Sequence, residues 1–363
     1  MKNKHIILKD TIAGTVAIKK TGPLAWEIKQ RVLKGADQDN GQNPTWIRIE
    51  NSGRKAAIKF NVIWASASYM HYRFVGYQKI GDKYAALRGT TGLNNTVYKF
   101  EVPPGVSFFG SYPWHFNEDT DNFLQNITRR HSNCRVRVIG KSAQGREIKC
   151  LIIGREDRKK PNVVVTARMH AMETAGSFAV EAIAKYLLND PEGKKLLNKY
   201  VFRLFPNVNP DGTAAGLKLT RIGPNKLYNM DIAQSSREPS IRALRGEILA
   251  LKPACILDYH SYLDPMPMVI FFDKRVGAVL FDELIDGRKN LAYGKNDRLF
   301  MMYWRMQFPW FIIKEQCYRK FKSTVVVTEL TWNINRLPAE AEEMGVQLFK
   351  ATMKAHEKVR RKA

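Results

Sequence analysis

The sequence predicts an α/β fold: a mixed sheet covered by helices on both faces, preceded by a small all-β sandwich domain. Three observations carry that reading. Valine-rich apolar runs of strand length, such as Asn162-Val-Val-Val-Thr166 and Thr324-Val-Val-Val-Thr328, alternate with helix-period runs beyond residue 130. Buried strands separated by amphipathic helices are the pattern of a sheet layered between helices. Before about residue 115 the chain instead alternates apolar and polar residues with period two, the mark of half-buried strands. Finally, several residues able to do chemistry fall at the carboxyl ends of the apolar strands, where open α/β sheets bind ligands.

In order along the chain, alternating strands are expected at Thr15–Lys19, Leu24–Ile28, Thr45–Glu50, Ala56–Trp64, Tyr69–Phe74 and Thr96–Val102. Asn51-Ser-Gly53 reads as a hairpin turn between two of them. Pro103-Pro104-Gly105 marks a boundary, and Phe108-Phe-Gly-Ser-Tyr-Pro-Trp114 an aromatic connector. This places a β-sandwich domain at residues 1–115 and a second domain at 116–363. Asp119 or Thr120 is positioned to cap a helix running to about Arg130. Strands follow at Arg135–Ile139, Ile148–Ile153, Val163–Thr166, Tyr200–Phe205, Ala254–Asp258, Met268–Phe272 and Thr324–Thr328. Helices are expected at Ser177–Leu188, Pro239–Leu251, Phe308–Phe321 and Ala339–Arg360. There is no internal repeat and no low-complexity segment.

Composition sets bounds on function. At 363 residues, 44% hydrophobic and 26% charged, the chain has ample material for one large or two ordinary cores. Cys134, Cys150, Cys255 and Cys317 are far apart and form no Cys-x-x-Cys, so they read as free thiols of a reducing compartment. The first residues, Met1-Lys-Asn-Lys-His-Ile-Ile-Leu-Lys9, lack an apolar core of signal-peptide length. No stretch approaches the roughly 18 apolar residues of a membrane span. A cytoplasmic protein without a membrane partner is therefore expected. Fifty-nine Lys and Arg against 34 Asp and Glu leave a net charge of +25. Such a field attracts polyanions. The basic residues are dispersed, however, and no nucleic-acid-binding motif appears, so no specific nucleic-acid partner is expected.

The chemistry centres on Thr166-Ala-Arg-Met-His170-Ala-Met-Glu173-Thr-Ala-Gly-Ser177, where an apolar strand turns into a helix. An imidazole and a carboxylate three residues apart at a helix start share one face, which is one way to offer a nitrogen and an oxygen to a single zinc ion. That spacing alone is weak, since most such pairs lie on a solvated helix face. Three further strand ends add to it: Leu257-Asp-Tyr-His260-Ser-Tyr262, Val325-Val-Val-Thr328-Glu329, and the turn Phe205-Pro-Asn-Val-Asn209-Pro-Asp-Gly212. A lone strand-end histidine or glutamate is usually structural or solvated. A set of them at one sheet edge is much harder to dismiss.

The segment from about residue 120 to the end resembles the zinc carboxypeptidases of the M14 (funnelin) family. The stretches that carry the resemblance, in order, are Val138-Ile-Gly-Lys-Ser-Ala-Gln-Gly-Arg-Glu-Ile148, His170-x-x-Glu173, Asn209-Pro-Asp-Gly212, Ser236-Arg-Glu-Pro239, Asp258-Tyr-His-Ser-Tyr262 and Thr328-Glu-Leu-Thr331. The β-rich N-terminal part, with Tyr112-Pro113, is similar to that of the cytosolic carboxypeptidase branch, which includes enzymes that trim glutamates from protein tails. The resemblance implies an eight-stranded mixed sheet and one zinc ion per chain held by His170, Glu173 and His260. It implies Glu329 as general base and Arg221 as the cation for the oxyanion. A family tyrosine upstream of the base would be Tyr303 or Tyr318, of which Tyr303 lies in what reads as an aromatic helix, Met302–Trp310.

One departure stands out. Where the family has an Asn-Arg pair that grips a terminal carboxylate, this chain has Asn229-Met-Asp231-Ile232, with Asp231 and Ile232 in the gripping positions. A carboxylate and an isoleucine cannot form a bidentate clamp on another carboxylate. Asn229 keeps the position that contacts the first zinc histidine, and Asn229, Asp231 and Arg237 are the expected substrate-binding residues. Either another cation serves, with Lys226, Arg237 and Arg242 nearby in sequence, or the substrate presents no free α-carboxylate. Three readings follow: a metallocarboxypeptidase acting on a peptide or acidic protein tail, a zinc amidase or endopeptidase on the same scaffold, and an inactive basic binding protein.

Overall fold

A computed structural model describes residues 5–10, 16–31, 45–64, 75–157, 159–216, 220–222, 226–228, 238–262, 268–286, 300–303, 312–331 and 337–360. Two five-stranded sheets come first. One contains β1 (Ile6–Asp10), β4 (Trp46–Asn51), β6 (Val75–Ile80), β7 (Lys83–Arg88) and β10 (Gly105–Gly110), in the order β1-β4-β10-β6-β7. The other contains β2 (Val16–Gly22), β3 (Ala25–Gln30), β5 (Ala56–Ile63), β8 (Thr90–Thr91) and β9 (Asn95–Val102), in the order β2-β3-β5-β9-β8. Period-two alternation gives each strand one apolar face, and the two apolar faces meet. Ile47, Ile49 and Phe109 from the first sheet pack on Trp26, Ile28, Phe60, Val62, Tyr98 and Phe100 from the second.

Three expectations for this region are corrected. Asn51-Ser-Gly53 is not a hairpin, because β4 and β5 belong to different sheets. The Asn51 side chain accepts from Gly53 N at 3.0 Å and donates to the carbonyls of Arg54 and Val102, so it ties the crossing together. Pro103-Pro104-Gly105 is a second such crossing, from β9 to β10, with Gly105 at φ 98°, a conformation that glycine adopts without strain. Phe108 and Phe109 of the expected connector lie within β10, the middle strand of its sheet. The expected strand Tyr69–Phe74 lies outside the described residues.

Part of the first sheet is covered on its other face as well. Its outward residues Trp46, Tyr77, Tyr84 and Phe108 join a second core shared with the helices that follow. Trp46 lies 5.9 Å from Phe116, Tyr84 lies 6.1 Å from Phe178, and Tyr84 Oη donates to Trp114 O at 2.7 Å. Helix α1 (Asn117–Arg130), with Phe116 as its N-cap, begins three to four residues earlier than its sequence suggests. Asp119 sits inside its first turn and reaches back to accept from Phe116 N at 2.8 Å, because a carboxylate satisfies an otherwise orphaned amide there.

The main sheet has eight strands: β11 (Cys134–Lys141), β12 (Glu147–Ile153), β13 (Asn162–Ala167), β14 (Val201–Phe205), β17 (Cys255–Tyr262), β18 (Met268–Phe271), β19 (Phe300–Tyr303) and β20 (Thr324–Thr331), in the order β11-β12-β14-β13-β17-β20-β18-β19. The four middle strands, β14, β13, β17 and β20, are parallel. Their residues are buried on both faces, which is why they read as continuous apolar runs rather than alternating ones. Helices α2 (Ala175–Asn189), α6 (Lys274–Asp286) and α8 (Pro338–Arg360) cover one face. Helices α5 (Pro239–Leu251) and α7 (Ile312–Phe321) cover the other, through Ile241, Leu244, Ile248, Ile313 and Cys317. Short helices α3 (Pro191–Leu197) and α4 (Pro210–Ala215), and a hairpin of β15 (Thr220–Ile222) and β16 (Lys226–Tyr228), complete the described chain. The sequence reading missed these elements, as well as α6 and β19. Tyr303 ends β19 rather than sitting in a helix, while residues 304–310 of the expected aromatic helix lie outside the described set. Among the described residues no helix is long and apolar enough to cross a membrane.

From β13 the chain crosses to β14 on one side and then returns to β17 on the other. The carboxyl ends of β13 and β17 therefore flank a topological switch point, where a crevice opens in sheets of this kind. Helix α2 starts hard against that edge. A Cβ on Gly176 would lie 2.7 Å from Tyr259 O, so only glycine allows so close an approach.

One buried group makes the fold acid-sensitive. His356 on α8 is fully buried, shares a 2.8 Å hydrogen bond with Thr324 on β20, and is lowered by burial to about 4 from its ordinary 6.5. The unfolded chain takes up this proton first. Stability is therefore unaffected above pH 6.5, falls as the pH drops from about 6.5 to about 4, and is lower by up to about 3 kcal/mol below that. Denaturant melts across this range should show the slope in the natural chain and a flattened one in His356→Gln.

Candidate metal centre

The chain leaves β13 at Ala167 and turns sharply at Arg168, whose φ of 69° is rare for a side-chain-bearing residue. Surrounding contacts hold that turn. The Arg168 guanidinium is fully buried, donating to Ala171 O, to His115 O at 3.1 Å, to Ser177 Oγ at 3.2 Å and to Thr213 Oγ1 at 3.1 Å. It also lies over the Trp114 ring at 5.5 Å. A buried cation fixed by so many acceptors sets the path of the loop behind it. His170 and Glu173 lie in that loop, before the first turn of α2 rather than on it, with Glu173 N donating to His170 O at 3.1 Å.

The turn Asn209-Pro-Asp-Gly212 supports the loop from below. Asn209 caps α4, accepting from Gly212 N at 3.0 Å, and its amide donates to Met169 O at 3.5 Å. Buried Asp211 accepts from Ser142 Oγ at 2.7 Å, Gln144 N at 3.0 Å and Arg146 Nη1 at 2.8 Å. The two stretches singled out in the sequence, 138–148 and 209–212, are thus locked to each other as a scaffold.

His260 arrives from β17, beside this loop. Its Nδ1 is 3.3 Å from His170 Nδ1 and 2.9 Å from Glu173 Oε2, while His170 Nδ1 is 2.7 Å from Glu173 Oε1. One donor atom from each of the three residues lies within 4.8 Å of the others. Tetrahedral zinc with ligands at about 2.0–2.2 Å places its donors roughly 3.3–3.6 Å apart; the two imidazole nitrogens are at that spacing, and the carboxylate oxygens lie somewhat closer to them. Two imidazole nitrogens and a carboxylate also form a donor set that zinc favours. The residues fit the ion. Burial opposes the charge on Glu173, but His170 and His260 hold its carboxyl far below the ordinary range. Ser261 N adds a hydrogen bond to Glu173 Oε2 at 3.2 Å.

A support behind His260 was not assigned from the sequence. Its second nitrogen, Nε2, lies 2.8 Å from Asp258 Oδ2, and the other carboxylate oxygen accepts from Thr166 Oγ1 at 2.5 Å. Lys314, from α7, pairs with the same Oδ2. Burial opposes the charge on Asp258, yet Lys314 and His260 hold it well below the usual carboxylate range. Asp258 was legible in principle, since a residue two before His260 on a strand shares its face. Lys314, 56 positions from Asp258 and on another element, carried no local signal.

Glu329 is brought to the same edge. β17 and β20 pair in parallel with His260 opposite Glu329, so both side chains leave the same face, roughly one strand spacing of 4.8 Å apart. Glu329 is half-buried. Arg221 lies on β15, paired with Leu227 in the hairpin. Asn229, Asp231, Ile232 and Arg237 fall outside the described residues. Of the other cations named from the sequence, Lys226 is in β16 and Arg242 is exposed on α5. Tyr303 and Tyr318 are in aromatic packing, 5.9 Å from Phe271 and 6.0 Å from Phe272 respectively.

A mixed eight-stranded sheet thus carries a His-x-x-Glu…His cluster, able to hold a metal ion, at its switch point. Residues 120–262 match the family described as zinc carboxypeptidase, Peptidase_M14. Among curated relatives, the metallocarboxypeptidase A-like protein of Trichophyton verrucosum is 38% identical over 142 residues, covering 38% of this chain and 33% of that protein. Cytosolic carboxypeptidase 3 of Bos taurus is 28% identical over 159 residues, covering 39% of this chain and 16% of that protein. The matched part is thus a small fraction of these relatives' length. Among solved structures, a metallo-carboxypeptidase from Burkholderia cenocepacia superposes with a TM-score of 0.78 at 16% identity, covering 98% of this chain and 99% of that one. A metallo-carboxypeptidase from Pseudomonas aeruginosa, in complex with (2-guanidinoethylmercapto)succinic acid, gives a TM-score of 0.72 at 16% identity, covering 96% and 98%. At that identity the structural likeness concerns the fold, and it extends over the N-terminal sheets as well as the main one.

Proposed function

We propose that this protein is a zinc-dependent metallocarboxypeptidase, with residues 1–115 as a supporting β-sandwich domain and 116–363 as the catalytic domain. The observation that carries the reading is the convergence of His170, Glu173 and His260 with Glu329 one strand away. Zinc, when bound, supplies a Lewis acid for the scissile carbonyl and an acidified water as nucleophile. The chain's own residues do the rest. Glu329 takes the proton of the attacking water and returns it to the departing amine, as a carboxylate beside the nucleophile can. Arg221 offsets the negative charge that develops on the carbonyl oxygen. His170, Glu173 and His260 hold the metal, with Asp258 fixing the ring of His260.

The substrate is a peptide or protein tail, and the net charge of +25 favours an acidic one by long-range attraction. Glutamate-rich C-termini are the corresponding class, in a cytoplasmic setting with which the free, buried cysteines agree.

A second reading rests on Asp231 and Ile232, which replace the family's carboxylate grip. A site without that grip would act as an amidase or endopeptidase and tolerate a blocked C-terminus. Matched acidic peptides with a free or an amidated C-terminus separate the two. The carboxypeptidase reading expects cleavage of the free peptide to be favoured by at least about 100-fold, as expected when a buried charge partner is lost. Equal rates on both would overturn it in favour of the amidase.

A further inference from the structure

We propose that Lys314 is a positioning residue of the metal centre, acting through Asp258 to hold the ring of His260 in its ligating orientation. This inference rests on the zinc reading above but concerns a residue that touches neither metal nor substrate.

The geometry assigns every acceptor on Asp258. Oδ1 takes the Thr166 hydroxyl, and Oδ2 takes both His260 Nε2 and the Lys314 ammonium. The cluster is closed to water: Asp258 is 0% exposed, Thr166 1%, His260 2% and Lys314 3%. A lysine so deeply buried is uncommon, and a charge there costs stability unless it is paired. Here the pair is intramolecular, between the helix layer and the sheet. Lys314 sits on α7 between Ile313 and Cys317, both packed against the sheet, so its ammonium is aimed at β17 by the helix's own packing.

The consequence follows from hydrogen-bond geometry. Because Nε2 of His260 is committed to Asp258 as a donor, Nδ1 is left as the atom presented to His170 and Glu173. The carboxylate fixes that ring only if it is itself fixed. Thr166 restrains one of its oxygens. Lys314 restrains the oxygen that His260 uses. Removing the ammonium frees Oδ2 to rotate away and leaves a buried negative charge that draws water in behind the ring. The histidine then samples orientations in which Nδ1 is not aimed at the metal position. Helix α7 would thus act on the metal centre without contributing a ligand.

The test is zinc affinity by chelator competition in the full-length chain, for natural protein, Lys314→Met and Lys314→Arg. Lys314→Met is expected to bind zinc about 10–100-fold more weakly, the usual cost of losing a support behind a ligating histidine. In the cobalt-substituted protein its visible absorption should broaden or shift, because the ligand geometry is less uniform. Its kcat should fall with KM little changed, and Lys314→Arg, which keeps the cation, should recover most of the affinity. If Lys314→Met does not fold, Lys314→Gln, which keeps an N–H donor without the charge, is read in its place and is expected to lie between Met and the natural residue. Unchanged zinc affinity and cobalt spectrum in a folded neutral variant would overturn the proposal and leave Lys314 a purely structural ion pair. A natural protein that binds no zinc would overturn both this inference and the functional reading beneath it, so the two failures are told apart.

Discussion

Glu329→Gln is expected to reduce peptide turnover by about 10²–10⁴-fold, the range a general base contributes, while zinc content stays near one per chain. The substitution preserves size and shape and removes only the ability to accept a proton. Glu329 is opposite His260 in the β17–β20 ladder, so two residues 69 positions apart in sequence are a single strand spacing apart. It is not among the three groups whose donor atoms converge, and so its loss should leave metal binding intact. That combination, metal retained and turnover lost, distinguishes a base from a ligand. Metal analysis and steady-state rates on the same preparation measure it. Loss of zinc would make Glu329 part of the metal's own surroundings. Undiminished turnover would assign the proton transfer to another group.

The ends of apolar strands made this arrangement legible before any coordinates. Continuous valine runs marked the middle of the sheet, and residues that follow such runs are forced to one edge. That logic placed His170, Glu173, His260 and Glu329 together. It works because burial on both faces leaves a strong local signature in the sequence. The N-terminal region was less legible for the same reason. Asn51-Ser-Gly53 carries the residues of a hairpin, and local turn chemistry does not reveal that the next strand enters the opposing sheet. What decides it is the facing of Ile47 and Ile49 against Phe60 and Val62 across the sandwich core, a contact with no local trace. β10 was hidden by its glycine and aromatic content, since Gly110 is needed where a Cβ would lie 1.7 Å from the Trp46 ring. The supports of the metal loop follow the same division. Asp258 shares a strand face with His260 and could be inferred, whereas Arg168 and Lys314 act through partners on other elements.

Stripping the metal is expected to abolish turnover and to lower the melting temperature by roughly 5 °C. The second figure follows from linkage. A ligand present at about a thousand times its Kd stabilises the folded state by about 4 kcal/mol. Spread over an unfolding entropy of about 2 cal/mol/K per residue for 363 residues, that is roughly 5 °C. The structural reason is local. Glu173 is buried between His170 and His260, and a carboxylate there needs a compensating cation. Zinc, held by neutral imidazoles, supplies it. Metal binding therefore releases protons, and affinity should fall as the pH is lowered, because each ligand that gains a proton ceases to be one. Calorimetry with and without a chelator reads the shift, and readdition of zinc should restore both melting temperature and activity. His260→Ala provides the matching control. It removes one ligand and leaves Asp258 and Lys314 paired behind the gap, so the chain should fold, melt near the chelated natural protein, and gain nothing from added zinc. A chelated protein that keeps its activity, or a His260→Ala variant that regains it with zinc, would place the reaction at some other centre.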